Sequence, residues 1–244
     1  MSQNPEPAFP LREKRVVVIG GTTGIGFAIA ELASSLGAKV VVGSRSLDKV
    51  GAAIKRLPGS TGHAVDLADE TSVIRFFEGV GAYDHLAVTA GDWDTPMFGS
   101  IRDLDFEQAK GLLTVRFWGV LAAVKHGIRT IAADGSITLT SGLLAQRPRP
   151  GTVMATALGG ALEHLAKALA MDLAPIRVNA VSPGLILTDV VKQRSSAAVE
   201  AMVAPLPLPR TGTPHEAAKA YTYLMTNGYA TGQVLAVEGG GLLI

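Results

Sequence analysis

The chain has 244 residues, of which 48% are hydrophobic and 18% are charged, so it can bury a full core and lacks the composition of a disordered protein. Its net charge is +1, from 22 Lys and Arg against 21 Asp and Glu, so the charge balance predicts neither a nucleic-acid partner nor an anionic membrane partner. The absence of cysteine excludes disulfides and thiolate metal sites.

Residues 1–14 are predicted to form a flexible tail. This segment contains Pro5, Pro7 and Pro10 and has no apolar h-region, which argues against a secretory signal and for a cytoplasmic protein. No apolar run in the chain approaches the roughly 18 residues of a membrane span. The five histidines show no i, i+3 or i, i+4 pair, so the sequence gives no support for a metal site.

From residue 15 onward, short runs rich in Val and Ile alternate with longer stretches of helical period. This alternation is typical of β-α-β units built around a buried parallel sheet. Strands are predicted at 15–19, 39–43, 61–65, 84–89, 135–140, 176–181 and 233–237. Helices are predicted at 24–36, 47–56, 69–79, 102–131, 152–172 and 214–226.

The least regular stretch covers residues 182–213, where several prolines flank a predicted short helix near 194–204. Long irregular segments inside compact domains are usually functional. We therefore predict a substrate lid at about 184–212.

A glycine-rich turn follows the first predicted strand directly and opens an amphipathic helix. Glycines allow positive φ and close backbone approach, and the helix N-terminus offers free N–H groups to a pyrophosphate. The motif therefore predicts a dinucleotide site rather than only a tight turn. Its residues are Gly20, Thr22, Thr23, Gly24, Ile25 and Gly26.

The second strand ends in Ser44, Arg45 and Ser46, where NAD-binding proteins place a carboxylate on the ribose 2′-hydroxyl. That carboxylate is missing, and a guanidinium at Arg45 can bind a 2′-phosphate through charge-assisted hydrogen bonds. The segment therefore favours NADP(H) over NAD(H). The alternative is that Arg45 is a solvated surface residue.

Motifs spread over nearly the whole chain resemble those of the short-chain dehydrogenase/reductase family. Besides the glycine turn, they are Asp66-Leu67, Ala90-Gly91, the serine at Ser141, the segment Arg177–Gly184 followed by Ile186 and Thr188, and the C-terminal Gly232-Gln233-Val234 and Val237–Gly240. The resemblance implies an α/β fold: a single doubly wound Rossmann-type domain over 15–244, with a seven-stranded parallel sheet and helices on both faces. It also implies that Asp66, Leu67, Ala90, Gly91, Pro183, Gly184, Ile186 and Thr188 bind the cofactor.

The resemblance fails at the family's acid and base positions. Counting from Ser141, its catalytic Tyr and Lys fall on Met154 and Leu158, and no Tyr of this chain has Lys at i+4. The family's helix asparagine falls on Arg116. Of the family's catalytic positions only Ser141 is retained, and Arg116 is the second catalytic candidate. Met154 and Leu158 are predicted to form an apolar wall of the substrate pocket.

Charged residues near the predicted pocket allow two interpretations each. Arg116 either pairs with an acid such as Asp92, Asp94 or Asp103, or acts as a fixed cation in the altered site. Asp92 and Asp94 flank Trp93 after the fourth strand, so they either hold a cationic substrate or form a solvated turn.

Arg147 and Arg149 either bind an acidic group at the mouth of the pocket or belong to a stiff exposed loop. His126 and His164 are interpreted as surface or interface residues.

The segments 102–131 and 152–172 carry Ala- and Leu-rich faces. These apolar faces are wider than packing against the sheet alone would bury. In the family these helices form the subunit interface, so a homodimer or homotetramer is expected.

Two functions remain open at this stage. The first is an NADP(H)-dependent oxidoreductase with non-standard proton delivery, acting on a small molecule such as an imine, an iminium ion or a conjugated enone. The second is an NADP-binding sensor or inactive subunit without turnover.

Overall fold

A computed structural model describes residues 10–91 and 97–244. Seven parallel strands form one sheet in the order β3-β2-β1-β4-β5-β6-β7. They are β1 Arg15–Ile19, β2 Lys39–Ser44, β3 Thr61–Ala64, β4 Tyr83–Val88, β5 Ile131–Thr140, β6 Arg177–Pro183 and β7 Val234–Val237. Runs of β-branched residues explain the central strands, since such side chains pack well on a sheet buried on both faces.

Helices cover both faces of the sheet. They are α1 Gly24–Ser35, α2 Leu47–Lys55, α3 Glu70–Val80, α4 Phe106–Leu113, α5 Val120–Gly127, α6 Val153–Asp172, α7 Asp189–Lys192, α8 Ser196–Val203 and α9 Pro214–Thr226. Alternate side chains of β1 enter opposite cores: Val17 and Ile19 pack with α3, α5 and α6, whereas Val16 and Val18 pack with α1 and α9. This arrangement confirms the predicted doubly wound fold.

The helix predicted at 102–131 is wrong in its extent and its regularity. The helical stretch begins at Phe106 and ends at Gly127, and a π-helical segment, Thr114–Gly119, separates α4 from α5. The chain then turns because Ile131 already pairs with Tyr83, which makes β5 longer than the predicted 135–140. Among the described residues, no helix is long and apolar enough to cross a membrane.

The predicted tail over 1–14 is wrong in its last residues. Leu11 is only 1% exposed and packs in the core shared by α1 and α9, and its amide donates to the carbonyl of Leu36. An apolar side chain in the core orders the backbone around it. Residues 1–9 lie outside the described part of the chain.

The strand order reverses between β1 and β4, which leaves a crevice at their carboxyl ends. Open α/β sheets bind ligands at such a point. The loops after β1, β2, β3, β4, β5 and β6 all emerge at this edge, because all the strands are parallel. The residues singled out from the sequence lie on these loops or on the helices that follow them.

Candidate active site

The glycine turn between β1 and α1 lies at the floor of the crevice. Gly20 and Gly24 adopt φ values of +87° and +53°, which side chains rarely allow. A Cβ atom on Gly26 would collide with the carbonyl oxygen of Gly20 and with the hydroxyl of Thr89. The turn therefore requires glycine for its own geometry, and it leaves the N-terminus of α1 open to the crevice.

The end of β2 borders the same turn. The hydroxyls of Thr22 and Ser44 lie 3.4 Å apart, which joins the glycine turn to the strand end. Ser46 caps α2 by accepting a hydrogen bond from the amide of Lys49, so its hydroxyl has a local structural role. Arg45 is exposed between them.

Two further loops complete the predicted cofactor side. Asp66 accepts a hydrogen bond from the amide of Ala68 through Oδ1, at 2.9 Å. Leu67 is buried against Gly119 of the π-helical segment, where a side chain on the glycine would collide with the Leu67 carbonyl. The wide turn of this segment therefore brings the helix directly against the loop that follows β3.

The loops after β4 and β6 approach the glycine turn from above. A Cβ on Gly20 would lie 2.6 Å from the amide nitrogen of Ala90, and one on Gly24 would lie 3.1 Å from Cγ2 of Thr188. Gly184 is equally crowded by the Glu238 backbone, and Ile186 forms a bridge with Gly212. The loop after β6 thus reaches the glycine turn at Thr188. The segment predicted as a lid, 184–212, contains α7 and α8.

Arg116 lies on the π-helical segment and points at the loop after β4. Its guanidinium occupies the space where a Cβ of Gly91 would be. A permanently charged group therefore borders the crevice where the sequence pattern of the family has an asparagine. Asp92 and Asp94, the acids predicted to line the pocket, lie outside the described residues.

Ser141 follows β5 and is half-buried at the mouth of the crevice. Its hydroxyl lies 2.9 Å from Oε1 of Glu163 and 3.2 Å from the carbonyl oxygen of Gly159, and it donates toward both. Gln146 donates its amide to both oxygens of Glu163, at 3.1 Å each. Gly159 makes this arrangement possible, since a Cβ there would come within 2.9 Å of Ala145.

Glu163 was not singled out from the sequence, although a signal for it was present. The core-facing residues of α6 include Ala155, Gly159, Leu162 and Ala166, and an acid at position 163 falls on that same face. Acids are almost never fully buried without partners, so an acid on this face predicts hydrogen-bond donors close to its carboxylate. Glu163 is 6% exposed, and its donors are Ser141 and Gln146.

Met154 and Leu158, the residues predicted at the family's Tyr and Lys positions, differ in their surroundings. Met154 lies in the first turn of α6 and is partly buried against the core, whereas Leu158 is only 2% exposed and belongs to the core itself. Neither side chain can donate or accept a proton. Of the two, Met154 is therefore the one that keeps exposed surface.

The remaining basic candidates take no part in this cluster. Arg147 and Arg149 are exposed, and the backbone of Arg149 is bonded to Thr152 at the start of α6. His164 is exposed, as predicted. The interpretation of His126 as a surface residue is wrong: it is 5% exposed, and its Nε2 lies 2.8 Å from Oε1 of Glu70, because α5 packs its last turn against α3.

Comparisons with known proteins agree with this architecture. A family model described as enoyl-(acyl carrier protein) reductase matches residues 20–241. The short-chain dehydrogenase/reductase ucsE of an Acremonium species is 34% identical over 258 residues, covering 96% of this chain and 97% of the relative. The short-chain dehydrogenase/reductase malC of Malbranchea aurantiaca is 32% identical and covers 96% of each chain.

Two solved structures are also similar. A small-chain dehydrogenase in complex with NADPH is 37% identical, with a TM-score of 0.81 over 95% of this chain and 100% of that one. The MalC reductase/Diels-Alderase of Malbranchea aurantiaca is 31% identical, with a TM-score of 0.88 over 97% of this chain and 99% of that one. The model match and the relatives, each covering almost the full length, show that this chain belongs to the short-chain dehydrogenase/reductase family.

Proposed function

We propose that this protein is an NADP(H)-dependent reductase whose substrate does not need a proton from the enzyme, with a cyclic iminium ion as the first candidate. The observation that carries the proposal is the set of hydrogen bonds that the Ser141 hydroxyl makes. Its hydroxyl is directed at Glu163 and Gly159, both acceptors, and is not free to protonate a product oxygen.

The cofactor half of the proposal rests on the crevice between β1 and β4. The glycine turn, in which a Cβ on Gly20 or Gly26 would collide with neighbouring protein atoms, would hold the pyrophosphate through its backbone N–H groups, and Arg45 after β2 would bind the 2′-phosphate. Asp66 and Leu67 would border the adenine, while Gly184 and Thr188 would border the nicotinamide. When bound there, NADPH supplies a hydride. The related dehydrogenase solved with NADPH supports this assignment.

The acid half of the proposal rests on what surrounds Ser141. Met154 and Leu158 occupy the positions of the family's Tyr and Lys and offer no ionisable group. No Tyr lies between residues 84 and 220, and the hydroxyl of Tyr221 is buried against Thr140 at 2.7 Å. Reduction of a plain ketone would leave an alkoxide with no described acid beside it. General acids are typically worth about 10²–10⁴-fold in rate, so ketones should be poor substrates.

An iminium ion avoids this requirement. Hydride addition to the carbon of the C=N bond moves the π electron pair onto nitrogen and leaves a neutral amine, so charge is conserved without proton transfer. Met154 and the core behind it would exclude water from the reacting face. The role of the chain is then to orient the ring and to keep the site dry.

A conjugated enone is the second candidate, and Arg116 favours it. Hydride addition to the β-carbon of an enone leaves an enolate whose charge is delocalised onto oxygen. The guanidinium beside Gly91 is a fixed cation that would stabilise that charge. The third possibility is a dinucleotide-binding protein without turnover.

A substrate panel with NADPH tests the proposal. We expect 2-phenyl-1-pyrroline to be reduced faster than 2-cyclohexenone, and both faster than cyclohexanone, as loss of nicotinamide absorbance. A preference for cyclohexanone would refute the proposal. Tight NADPH binding without turnover of any class would favour the sensor.

A matched variant sharpens the panel. Combining Met154→Tyr with Leu158→Lys restores the family's pair and should raise ketone reduction selectively. Because Leu158 lies in the core, thermal unfolding of this variant is measured alongside.

A further inference from the structure

The buried carboxylate of Glu163 has no counterpart among the motifs that carry the family resemblance. It accepts hydrogen bonds at 2.9 Å from the Ser141 hydroxyl and at 3.1 Å from the Gln146 amide, and the same amide also reaches its second oxygen at 3.1 Å. All these contacts are donated to the carboxyl group. An ionised carboxylate has only acceptor sites and is satisfied by donors alone.

This arrangement fixes the direction of the Ser141 hydroxyl. A hydroxyl has one proton and two acceptor lone pairs. The proton is directed toward Oε1 of Glu163 or toward the carbonyl of Gly159, and both lie along α6. What Ser141 presents to the half-buried mouth is therefore its lone pairs, and it acts as an acceptor toward a ligand.

We propose that Glu163, acting through Ser141, is a positioning residue that gives the site a preference for substrates bearing an N–H group over neutral carbonyl compounds. The N–H of a protonated cyclic imine donates to Oγ of Ser141, and the negative charge behind the serine favours the cation. A ketone or enone oxygen offers only lone pairs, which meet those of Ser141. The inference rests on the proposed function for the place of the substrate.

A purely structural role for Glu163 makes a different prediction. The carboxylate would then only join α6 to the segment that follows β5, and its loss would affect all substrates alike. The two roles are distinguished by the ratio of kcat/KM for a substrate with an N–H group to kcat/KM for one without it, because a structural role would leave this ratio unchanged. They also differ in whether the effect of Glu163 requires the hydroxyl of Ser141.

The kinetic test uses two cations of the same ring. Protonated 2-phenyl-1-pyrroline has an N–H group, and N-methyl-2-phenyl-1-pyrrolinium does not. We expect the wild type to prefer the first in kcat/KM with NADPH, and Glu163→Leu to reduce that preference about tenfold, the size of one hydrogen bond to a charged group. Glu163→Gln keeps an acceptor oxygen and should retain part of the preference.

Ser141→Ala is the second arm. It should lose the same preference, and adding Glu163→Leu to it should change the ratio no further, because the acid acts through the serine. Glu78→Leu makes the same replacement at an exposed position of α3 and should leave the ratio unchanged. An unchanged ratio in Glu163→Leu, or equal losses for both substrates, would overturn the inference. If Glu163→Leu does not fold, a smaller but selective loss in Glu163→Gln supports the inference and an unchanged ratio refutes it.

A binding measurement separates this inference from the proposed function. Calorimetry with the NADP⁺-loaded protein compares 2-phenylpyrrolidinium with 2-phenyltetrahydrofuran, its neutral ether analogue. We expect the ammonium to bind more tightly and Glu163→Leu to remove about tenfold of the difference. Such selectivity without turnover of any imine would refute only the proposed function. Turnover of imines with no dependence on Glu163 in either assay would refute only the inference.

Discussion

The glycine turn and the surroundings of Ser141 lie at the same edge of one sheet, yet they follow the family pattern to different degrees. In the turn, the positive φ values of Gly20 and Gly24 and the crowding at Gly26 are all present. Around Ser141, the buried carboxylate of Glu163 accepts the serine's hydrogen bond, and the helix that carries this acid, α6, also carries Met154 and Leu158. The first region is built mainly from backbone groups, and the second from side chains.

This difference shows which part of a reductase can change without disturbing the other. Binding a pyrophosphate needs N–H groups and space, which a few glycines provide. Moving a proton needs a titratable side chain at one position. We therefore expect substitutions on α6 to alter proton chemistry while the turn, held by β1 and α1, keeps its geometry.

We expect the largest effect on cofactor affinity from a substitution that distorts the glycine turn. Gly26→Ala places a Cβ against the carbonyl of Gly20, so the turn must shift. We expect cofactor affinity to fall by about 3 kcal/mol, or roughly two orders of magnitude, the value of one or two backbone bonds to a charged phosphate. Calorimetry with NADPH measures this loss.

Gly51→Ala is the matched control for the turn, because a Cβ at Gly51 meets nothing within 4 Å. It should leave NADPH affinity unchanged. Equal NADPH affinities in the Gly26 and Gly51 variants would contradict the proposal that the glycine turn binds the pyrophosphate.

A smaller effect concerns the choice of cofactor. Arg45→Ala should weaken NADPH binding by about 1.5–3 kcal/mol and leave NADH nearly unaffected, because only NADPH has the 2′-phosphate. Arg129→Ala removes an exposed arginine after α5 and serves as the control. Equal weakening of both cofactors by Arg45→Ala would show that the side chain acts on the fold rather than on the phosphate.

The smallest expected effect concerns association of subunits. Trp118 is 60% exposed on the helical stretch predicted to form the interface. We predict a homodimer or homotetramer, in which Trp118→Glu should weaken association by more than about 1 kcal/mol. Sedimentation at micromolar concentration measures this, with Tyr229→Glu as a control at an exposed position beyond α9. A monomeric wild type would contradict the prediction.

The sequence alone predicted the strands and the glycine turn, because both depend on local pattern. Runs such as Val16 to Ile19 followed by Gly20 need no distant partner to be interpreted. The π-helical segment Thr114–Gly119 was not predicted, and its contact at Gly119 with Leu67 joins residues far apart in the chain. The orientation of Ser141 was also hidden, because its partner Glu163 lies 22 residues away along the chain. Contacts of this kind are set by packing between elements.

The central feature of the proposed mechanism is that the enzyme supplies no proton during reduction. The direct test is the rate of NADPH-dependent reduction of N-methyl-2-phenyl-1-pyrrolinium by the wild type in H₂O and in D₂O, with cyclohexanone as the comparison. This cation has no N–H or O–H group and hydride addition to it needs no proton, so the proposed mechanism predicts turnover at equal rates in the two solvents and little or no reduction of cyclohexanone. A clearly slower rate in D₂O at saturating substrate, or reduction of cyclohexanone without reduction of the cation, would contradict it.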